Sequence, residues 1–558
     1  MTASWSPTEL APYRDYDHLI RDFRWRIPAR YNIAAATVDR WAGETPARVA
    51  LLHQDAAGRQ MSWTFGDLQR QANRLANALR ALGVSRGDRV ALVLPQCAEV
   101  AVTHLALFKL GAVSVPLSFL YGPATLQYIL DDCRAVGIVI AADAVGRVEE
   151  IRDRLPDLRH VIVVGGQGAG LAWPALLERG AVVCPTADTA AEEPALLMYT
   201  SGTTGPPKGV LHAHRVLAGY LVTIALVFNI RFDQRTVFWT PSDWAWVGGL
   251  LDVVLPAWAF GRPVLGSSAR FEPERAFAMI ADVGVTHAFL APTALKMMAQ
   301  VRTPRERFGT RLEVIASGGE SVAAEVLRWG EEELGAAVNE FYGLTEVNHL
   351  VGNCSVLWPV RPGFMGRAYP GREVELIDEQ GVAVKPGVEG QIVVRRGDPT
   401  GFLGYWEKPE KTAEMFLGGR DTPEAWIKTG DMAVRDEQEY FRFMGRNDDL
   451  IKSGGYRIGP AEVEEALLAL DEVAEAAVIA APDAIRGSVV KALVRLAAGV
   501  APSDALKARI QEHVRRQLAA YKYPRQVEFV ESFPLTTTGK IDRKQLRQRE
   551  AGRQHHKI

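Results

Sequence analysis

The first two thirds of the chain alternate between two hydrophobic patterns, one with a helical period and one made of short, almost wholly apolar runs. Residues 64–83 repeat apolar side chains at helical spacing from Leu68 to Leu82, and Thr64 with Asp67 matches a capping box before them. Apolar runs separated by such helices are typical of parallel sheets covered on both faces. The pattern predicts an α/β fold with strands at RVALVLP, AVSVPL, VGIVIAAD, HVIVVGG, THAFLAP and LEVIASGGE.

The pattern changes after about residue 367, where apolar and polar residues alternate and turn residues recur every few positions. The stretch 372–396 therefore predicts antiparallel strands of a small β-barrel-like subdomain. From Pro460 onward, an acidic helix, two strands, a second helix and a last strand predict a compact α+β unit. We place a boundary near Asp448, which gives a large N-terminal domain of residues 1–447 and a small C-terminal domain of residues 448–558.

Composition narrows the class of protein. The chain has 558 residues, of which 48% are hydrophobic and 23% charged, as expected for a globular protein with at least two domains. The net charge of -2 argues against a nucleic-acid partner, which normally requires a basic excess. No signal-peptide pattern is present, and Asp252, Pro256 and Arg262 interrupt the most apolar stretch, so no membrane span is predicted.

The cysteines indicate the compartment. None of the four forms a C-x-x-C pair, so neither a zinc site nor a disulfide framework is predicted, and a reducing cytoplasm fits. They are Cys97, Cys133, Cys184 and Cys354.

The stretch MYTSGTTGPPKG, residues 198–209, has the composition of a phosphate-binding loop. It does not match the Walker A pattern, because Pro206 and Pro207 precede Lys208. Its glycines nevertheless permit close approach to an anion, and its hydroxyl groups and lysine supply donors and charge. The apolar flanks predict that a strand feeds a helix here, and the alternative is an ordinary Gly/Thr turn. The candidate ligands are Thr200, Ser201, Gly202, Thr203, Thr204, Gly205 and Lys208.

Five further strings combine glycines with charged or hydroxyl residues, although each alone is compatible with a solvated loop. Asp431 is predicted to follow a tight turn, and Lys540 to lie on a loop before a helix. By contrast, the glycines of VIVVGGQGAG lack the acidic partner of a dinucleotide site and predict a surface loop. The five strings are ASGGE (316–320), NEFYGLTE (339–346), IKTGDMA (427–433), GRNDDLIKSGGYRIGP (445–460) and PLTTTGKIDRKQL (534–546).

In this order the strings resemble the adenylate-forming superfamily of acyl-CoA synthetases, peptide-synthetase adenylation domains and luciferases, over nearly the whole chain. RYNIAAATVDRWA and YKYPRQVEFVESFPLTTTGKIDRK are most similar to medium-chain acyl-CoA synthetases. The resemblance implies that ATP and a carboxylic acid form acyl-AMP, which coenzyme A converts to acyl-CoA, and that the C-terminal domain moves. Aryl or branched acids, loading of a carrier protein, and a non-catalytic nucleotide-binding relative are the alternatives.

The resemblance also implies roles for individual residues. The loop at 200–208 would cover the β- and γ-phosphates, Thr345 would contact the α-phosphate, and Glu346 would hold Mg2+. Lys540 would reach the acid and the α-phosphate, where charge develops during adenylation. Adenine would be framed by Gly318, Gly319, Glu320, Glu340, Phe341, Tyr342 and Gly343, and the ribose hydroxyls bound by Asp431 with Arg446 close by.

The resemblance implies that coenzyme A contacts the loop that lines the pantetheine tunnel and several C-terminal residues. For Arg486 and Arg525 the alternative is that they are ordinary surface residues paired with nearby acids. Asp448 matches the hinge, while Trp246, Gly343 and Arg457 match the acyl pocket. Gly343 stands where acetyl-CoA synthetases carry a tryptophan that closes the pocket, so we expect acetate to be a poor substrate; the alternative is a glycine that permits a tight turn. The coenzyme A residues are Gly454, Gly455, Tyr456, Arg486, Tyr523, Pro524 and Arg525.

Overall fold

The chain folds into two compact units. A computed structural model describes residues 7–166, 168–200, 206–420, 422, 424–446, 449, 451–453, 456–483, 487–518, 521–536 and 540–554. The first unit comprises residues 1–373 and 395–425, and the second comprises residues 374–394 and 426–558. The predicted boundary near Asp448 separates two domains that are expected to move relative to each other during the reaction, and it stays a prediction.

The strands are numbered in chain order. They are β1 Val49–Gln54, β2 Gln60–Thr64, β3 Arg89–Val93, β4 Val113–Pro116, β5 Gly137–Ala141, β6 His160–Val164, β7 Leu171–Ala172, β8 Pro194–Thr200, β9 Lys208–Ala213, β10 Phe238–Trp239, β11 Val264–Ser267, β12 His287–Phe289, β13 Val314–Gly318, β14 Ala337–Leu344, β15 Asn348–Gly352, β16 Arg367–Ala368, β17 Val374–Ile377, β18 Glu389–Arg395, β19 Gly404–Tyr405, β20 Phe416–Leu417, β21 Trp426–Arg435, β22 Phe441–Arg446, β23 Ile451–Ser453, β24 Tyr456–Ile458, β25 Val473–Asp483, β26 Gly487–Leu496 and β27 Gln526–Phe529.

The α-helices are numbered in the same way. They are α1 Pro7–Leu10, α2 Tyr16–Asp22, α3 Arg40–Glu44, α4 Phe65–Ala81, α5 Ala98–Leu110, α6 Pro123–Asp132, α7 Gly146–Glu149, α8 Trp173–Arg179, α9 Arg215–Val227, α10 Val247–Gly249, α11 Leu255–Ala259, α12 Pro273–Val283, α13 Pro292–Met298, α14 Pro304–Phe308, α15 Ala324–Trp329, α16 Pro409–Glu414, α17 Pro460–Leu468, α18 Asp504–Gln517 and α19 Arg543–Gln554. Short π-helical segments lie at Ala35–Asp39, Leu250–Val254 and Gly330–Leu334, and a 3-10 turn lies at Arg152–Arg154.

Two large sheets form the first unit and confirm the predicted α/β class. One runs β19-β9-β8-β4-β3-β5-β6-β7 and is parallel from β8 to β7; the other runs β16-β15-β14-β13-β12-β10-β11-β1-β2 and is parallel from β14 to β1. The predicted cap of α4 is present, since the Asp67 amide donates to Thr64 Oγ1 at 3.0 Å and the Thr64 amide donates to Asp67 Oδ2 at 2.9 Å. Helices cover the apolar strands as predicted.

The most apolar stretch of the chain is interior rather than membrane-spanning. It forms α10, the π-helical segment Leu250–Val254, α11 and β11, and its side chains are almost all buried. No helix of the described residues is long and apolar enough to cross a membrane.

The second unit contains antiparallel strands and the predicted α+β module. β17 pairs with β18 antiparallel, as predicted for the alternating stretch 372–396, and β21 also pairs with β22 antiparallel. Farther along, β25 pairs with β26 antiparallel and β26 pairs with β27 parallel. Side chains from α17, β25, β26 and α18 pack into one core, including Val478, Ala492 and Ile510.

Candidate active site

The phosphate-loop motif is a β-hairpin, which corrects the predicted strand-to-helix connection. Thr200 ends β8 and lies directly opposite Lys208, the first residue of the antiparallel strand β9; α9 starts only at Arg215. β9 extends because it pairs with β8 on one side and with β19 on the other, and these long-range partners outweigh the local helical pattern. The residues between the strands that were predicted as ligands lie outside the described residues: Ser201, Gly202, Thr203, Thr204 and Gly205.

Lys208 and Glu346 both contact the same tyrosine of the first unit. The hydroxyl group of Tyr405 donates to Glu346 Oε1 at 2.6 Å, and the ammonium group of Lys208 lies 4.6 Å from the centre of the Tyr405 ring. Tyr405 belongs to β19, where it lies opposite Val210 of β9. The predicted phosphate lysine and the predicted metal-binding carboxylate are therefore brought together, by a tyrosine that sequence reasoning missed.

Thr345 and Glu346 form the turn that follows β14. The amide of Phe402 donates to the carbonyl oxygen of Glu346 at 2.8 Å, which fixes the backbone of the turn. The fully buried His212 of β9 lies near the Thr345 backbone, and burial lowers the pKa of His212 to about 3, so its imidazole is neutral.

The predicted adenine residues lie on two neighbouring strands. β13 ends at Gly318, which lies opposite Phe341 of β14, and a Cβ atom at Gly318 would lie 2.6 Å from the Phe341 ring. Gly319 has φ +94, so the chain turns there in a conformation that favours glycine. Glu320 accepts a hydrogen bond from Thr293 at 3.3 Å. Of the remaining predicted adenine residues, three are buried in β14: Glu340, Phe341 and Tyr342.

Gly343 lies at a close approach between β14 and β15. A Cβ atom there would lie 2.0 Å from the backbone oxygen of Asn348 and 2.5 Å from its carbonyl carbon. The register also shifts between Tyr342 and Gly343. Backbone fills the space on the Cβ side of Gly343, so the close approach of β15 requires glycine here, within a strand rather than in a tight turn. That the acyl chain passes Gly343 stays a prediction.

Trp246 lies in the turn before α10, and a buried carboxylate holds that turn. Asp243 Oδ2 accepts a hydrogen bond from Ser118 Oγ at 2.9 Å, and Oδ1 accepts one from the Ala245 amide at 3.0 Å. Burial raises the pKa of Asp243. The Trp246 ring packs edge-on against Tyr121, with 6.1 Å between ring centres.

An aromatic contact connects this region to the adenine strand. A Cβ atom at Gly248 of α10 would lie 2.7 Å from the Phe289 ring, whose centre is 5.8 Å from that of Phe341. The segment after Trp246 therefore contacts β14 through Phe289, and the two segments predicted to enclose the acyl group are neighbours.

A buried polar cluster lies behind the Thr345–Glu346 turn, and sequence reasoning missed it. His349 Nε2 lies 3.0 Å from Asp252 Oδ1, and the His349 ring packs on Phe341 with 3.9 Å between ring centres. Burial raises the pKa of Tyr220, which stays protonated and donates to Asn348 Oδ1 at 2.5 Å. The one sequence signal is Asp252 itself, a carboxylate inside an apolar run.

The second unit holds the predicted ribose site in a different local structure from the one expected. Asp431 lies inside β21, directly opposite Arg446 of β22, and their side chains approach to 3.4 Å between Oδ1 and Nη1. Asp431 therefore belongs to a strand rather than to a loop, but Gly430 directly before it has φ +80, a left-handed backbone that favours glycine, so the chain does bend at the T-G-D sequence. The predicted proximity of Asp431 and Arg446 is confirmed.

The remaining predicted residues of the second unit lie in separate segments. The guanidinium of Arg525 lies 5.2 Å from the Tyr523 ring centre, and the carbonyl oxygen of Pro524 accepts a hydrogen bond from Gln511 at 3.0 Å. Lys540 is exposed; its carbonyl oxygen accepts from the Thr536 amide at 2.7 Å. Tyr456 and Arg457 belong to β24, and the following lie outside the described residues: Asp448, Gly454, Gly455 and Arg486.

Comparison with known families decides the class of this chain. A model of the AMP-binding enzyme family matches residues 38–406, and a model of the AMP-binding enzyme C-terminal domain matches residues 462–540. The chain belongs to the AMP-binding enzyme family. The two matches confirm the resemblance to adenylate-forming enzymes.

Individual relatives span almost the whole AMP-binding enzyme. Acetyl-coenzyme A synthetase of Bacillus subtilis (strain 168) is 33% identical and covers 96% of this chain and 95% of its own length. The mitochondrial acyl-coenzyme A synthetase ACSM4 of Homo sapiens is 34% identical, with 98% and 94% covered. Among solved structures, the anthranilate CoA ligase AuaEII in complex with anthranoyl-AMP matches with a TM-score of 0.84 and 30% identity, covering 94% of this chain and 98% of that one.

Proposed function

We propose that this AMP-binding enzyme is an ATP-dependent acyl-CoA synthetase, an acid-thiol ligase that forms AMP. The carboxylate of the acid attacks the α-phosphorus of ATP, and pyrophosphate leaves. The thiol sulfur of coenzyme A then attacks the acyl carbon of acyl-AMP, AMP leaves, and the thiol proton passes to solvent. The proposal is supported above all by the family match along the chain, together with the convergence of Lys208 and Glu346 on Tyr405.

The first unit supplies what adenylation requires, which is mainly the positioning and neutralisation of two anions. Lys208 at the hairpin gives positive charge for the β- and γ-phosphates. Thr345 offers a hydroxyl group to the α-phosphate, and Gly319, where the chain turns with φ +94 after β13, would let the backbone approach the adenine closely. The Phe402 amide fixes the backbone of the turn that carries Thr345 and Glu346, so these groups need little rearrangement when ATP binds.

Mg2+ is the metal that the proposed site would take, and the residues fit it. Glu346 contributes a partly buried carboxylate, and the described residues contain no group of three or more His, Cys, Asp or Glu arranged around a metal position. Mg2+ is usually bound through one or two carboxylates together with substrate phosphates and waters. When bound, it would neutralise the negative charge that builds up on pyrophosphate.

The second unit supplies the ribose, lysine and coenzyme A contacts of the proposal. Asp431 would accept the two ribose hydroxyl groups, with Arg446 beside it holding the carboxylate in position. Lys540 would stabilise the charge that develops on the acid and the α-phosphate. Tyr523, Pro524 and Arg525 would contact coenzyme A, whose phosphates suit a guanidinium group.

For the acid, we propose a medium-chain fatty acid, which places the enzyme in fatty-acid activation. The support is the resemblance of RYNIAAATVDRWA and YKYPRQVEFVESFPLTTTGKIDRK to medium-chain acyl-CoA synthetases, together with the rings of Phe289 and Phe341 beside Gly248. Acetate and aryl acids are the competing substrates, because relatives of similar identity are named for acetyl-CoA and anthranilate ligation. The four free cysteines support a reducing cytoplasm as the location.

The test is a panel of acids with purified protein, ATP, Mg2+ and coenzyme A. The panel includes acetate, straight-chain acids, branched acids, benzoate and anthranilate, and the products AMP and acyl-CoA are quantified by chromatography and mass spectrometry. We expect AMP release that requires both the acid and coenzyme A. The Glu346→Gln variant is the control for a contaminating activity, since it should lose the signal. Absence of acyl-CoA with every acid would contradict the proposal.

A further inference from the structure

Tyr405 contacts two residues of opposite charge, one through its hydroxyl group and one through its ring. The hydroxyl donates to Glu346 Oε1 at 2.6 Å, and the ring face carries the ammonium of Lys208 at 4.6 Å. We propose that Tyr405 is a positioning residue that orients the Glu346 carboxylate for Mg2+ and the Lys208 ammonium for the ATP phosphates. This inference rests on the proposed function of the site.

The backbone holds Tyr405 firmly in this position. β19 pairs with β9, and the flanking amides of Leu403 and Trp406 donate to the carbonyl oxygens of Leu211 and Gly209 at 2.7 and 2.8 Å. The Tyr405 amide donates to Thr412 Oγ1 at 2.9 Å. Only 6% of the residue is exposed, and its ring packs edge-on against Phe402 with 5.2 Å between ring centres, so neighbouring side chains restrict rotation of the ring.

The arrangement keeps opposite charges from neutralising each other. A salt bridge between Lys208 and Glu346 would remove both groups from use, whereas each instead contacts Tyr405. A carboxylate has about four lone-pair sites, so one hydrogen bond leaves capacity for a cation. A hydrogen bond to a metal-binding carboxylate fixes the orientation of that carboxylate, and this is the general role of such donors.

The Tyr405→Phe variant separates the two contacts, because it removes the hydroxyl and keeps the ring. We expect the Mg2+ concentration for half-maximal pyrophosphate formation to rise at least about tenfold, the usual loss when a partner of a metal ligand is removed. The KM for the acid should change less than about twofold, because the acid is bound elsewhere. Tyr405→Leu also removes the ring, and should raise the KM for ATP further.

Tyr199→Phe is the matched control. The Tyr199 hydroxyl donates to Asp132 Oδ2 at 2.7 Å, and only 2% of the residue is exposed, yet Asp132 is not part of the proposed site. We expect the Mg2+ dependence of this variant to stay that of the wild type. If Tyr199→Phe shifts it as much as Tyr405→Phe does, the effect comes from general loosening of the sheet and the inference is wrong.

Calorimetric titration of ATP into acid-free protein at several Mg2+ concentrations gives a readout that does not depend on turnover. Tyr405→Phe should weaken the Mg2+-dependent part of ATP binding, and a double variant with Glu346→Gln should bind no more weakly than Glu346→Gln alone, because both act on one contact. Additive losses, or wild-type binding by Tyr405→Phe, overturn the inference. Failure of the proposed function would instead show as wild-type protein that binds Mg2+ and ATP but forms no acyl-CoA.

Discussion

The imidazole of His349 and the carboxylate of Asp252 lie 3.0 Å apart in the interior of the first unit, with 2% and 4% of each residue exposed. Removing Asp252 leaves the buried His349 ring without its hydrogen-bond partner, which typically costs about 1–3 kcal/mol. We therefore expect Asp252→Ala to lower the free energy of unfolding by about that amount. Urea-induced unfolding followed by tryptophan fluorescence measures the change.

Asp233→Ala serves as the control for this prediction. Asp233 pairs with Arg235 on the surface, where the side chains are 55% and 80% exposed, and solvent screens such a pair so that its loss changes the free energy of unfolding little. Asp252→Asn keeps an acceptor oxygen and should lose less than Asp252→Ala. If Asp252→Ala and Asp233→Ala lower the free energy of unfolding equally, the buried pair of Asp252 and His349 does not stabilise the fold.

Part of the site could not be predicted because it depends on contacts between residues that are far apart in the sequence. The capping box at Thr64 and Asp67 is local, and the predicted helix forms as expected. The strand β9 and the position of Asp431 within a strand depend on pairing with β8 and β22, so local patterns suggested a helix start and a turn. Glu346 and Tyr405 are separated by 59 residues and Asp252 and His349 by 97, and no spacing rule connects such pairs.

His212 gives a prediction for pH dependence. Burial lowers its pKa from 6.5 to about 3, so the folded protein keeps the imidazole neutral while the unfolded chain takes up a proton. Its contribution to stability is complete above pH 6.5 and is lost as the pH falls towards 3. The loss should be about 1.4 kcal/mol per pH unit in this window.

His212→Leu removes this titration without adding a buried polar group. Unfolding of both proteins is measured in urea between about pH 7.5 and 5. Since the other buried histidines are common to both proteins, the difference in free energy should shift in favour of the variant as the pH falls. A difference that does not change with pH would show that the imidazole takes up a proton as readily in the folded protein as in the unfolded chain.

Lys540 is predicted to serve only the adenylation step. Loss of one positioned charge contact typically lowers the rate about 100- to 1,000-fold, so Lys540→Ala should nearly abolish acyl-AMP formation. Thioester formation from supplied acyl-AMP should persist. Lys544→Ala, an exposed lysine at the start of α19, is the control and should leave both half-reactions unchanged. Equal loss of both half-reactions in Lys540→Ala would contradict this division.

Asp448 is predicted to be the hinge of the C-terminal domain. Proline fixes φ near about -65°, so Asp448→Pro should restrict rotation, leave adenylation measurable and slow thioester formation much more. Asp448→Ala removes the side chain but keeps the backbone free, and it should retain both rates. The two half-reactions are followed separately, by pyrophosphate release and by acyl-CoA formation from acyl-AMP. Normal rates for the proline variant would mean that the hinge lies elsewhere.

The length of the acid gives a quantitative prediction. Each buried methylene contributes about 0.8 kcal/mol, or roughly fourfold in kcat/KM. From propionate upward, kcat/KM should rise by about this factor per carbon until the pocket is filled at medium chain length, then level off or fall. Steady-state kinetics with a series of straight-chain acids measures the profile. A wild-type preference for acetate would contradict a medium-chain pocket.

Gly343 offers a second test of the pocket. The resemblance predicts that Gly343→Trp shifts preference towards acetate and propionate, but a Cβ atom there would lie 2.0 Å from the Asn348 backbone oxygen. We therefore expect the smaller change Gly343→Ala to lower kcat/KM for all acids by a similar factor, because β15 and the turn at Glu346 must shift together. The chain-length profile of Gly343→Ala measures this change. A loss of kcat/KM confined to the longer acids, with acetate unaffected, would instead show that the acyl chain passes Gly343.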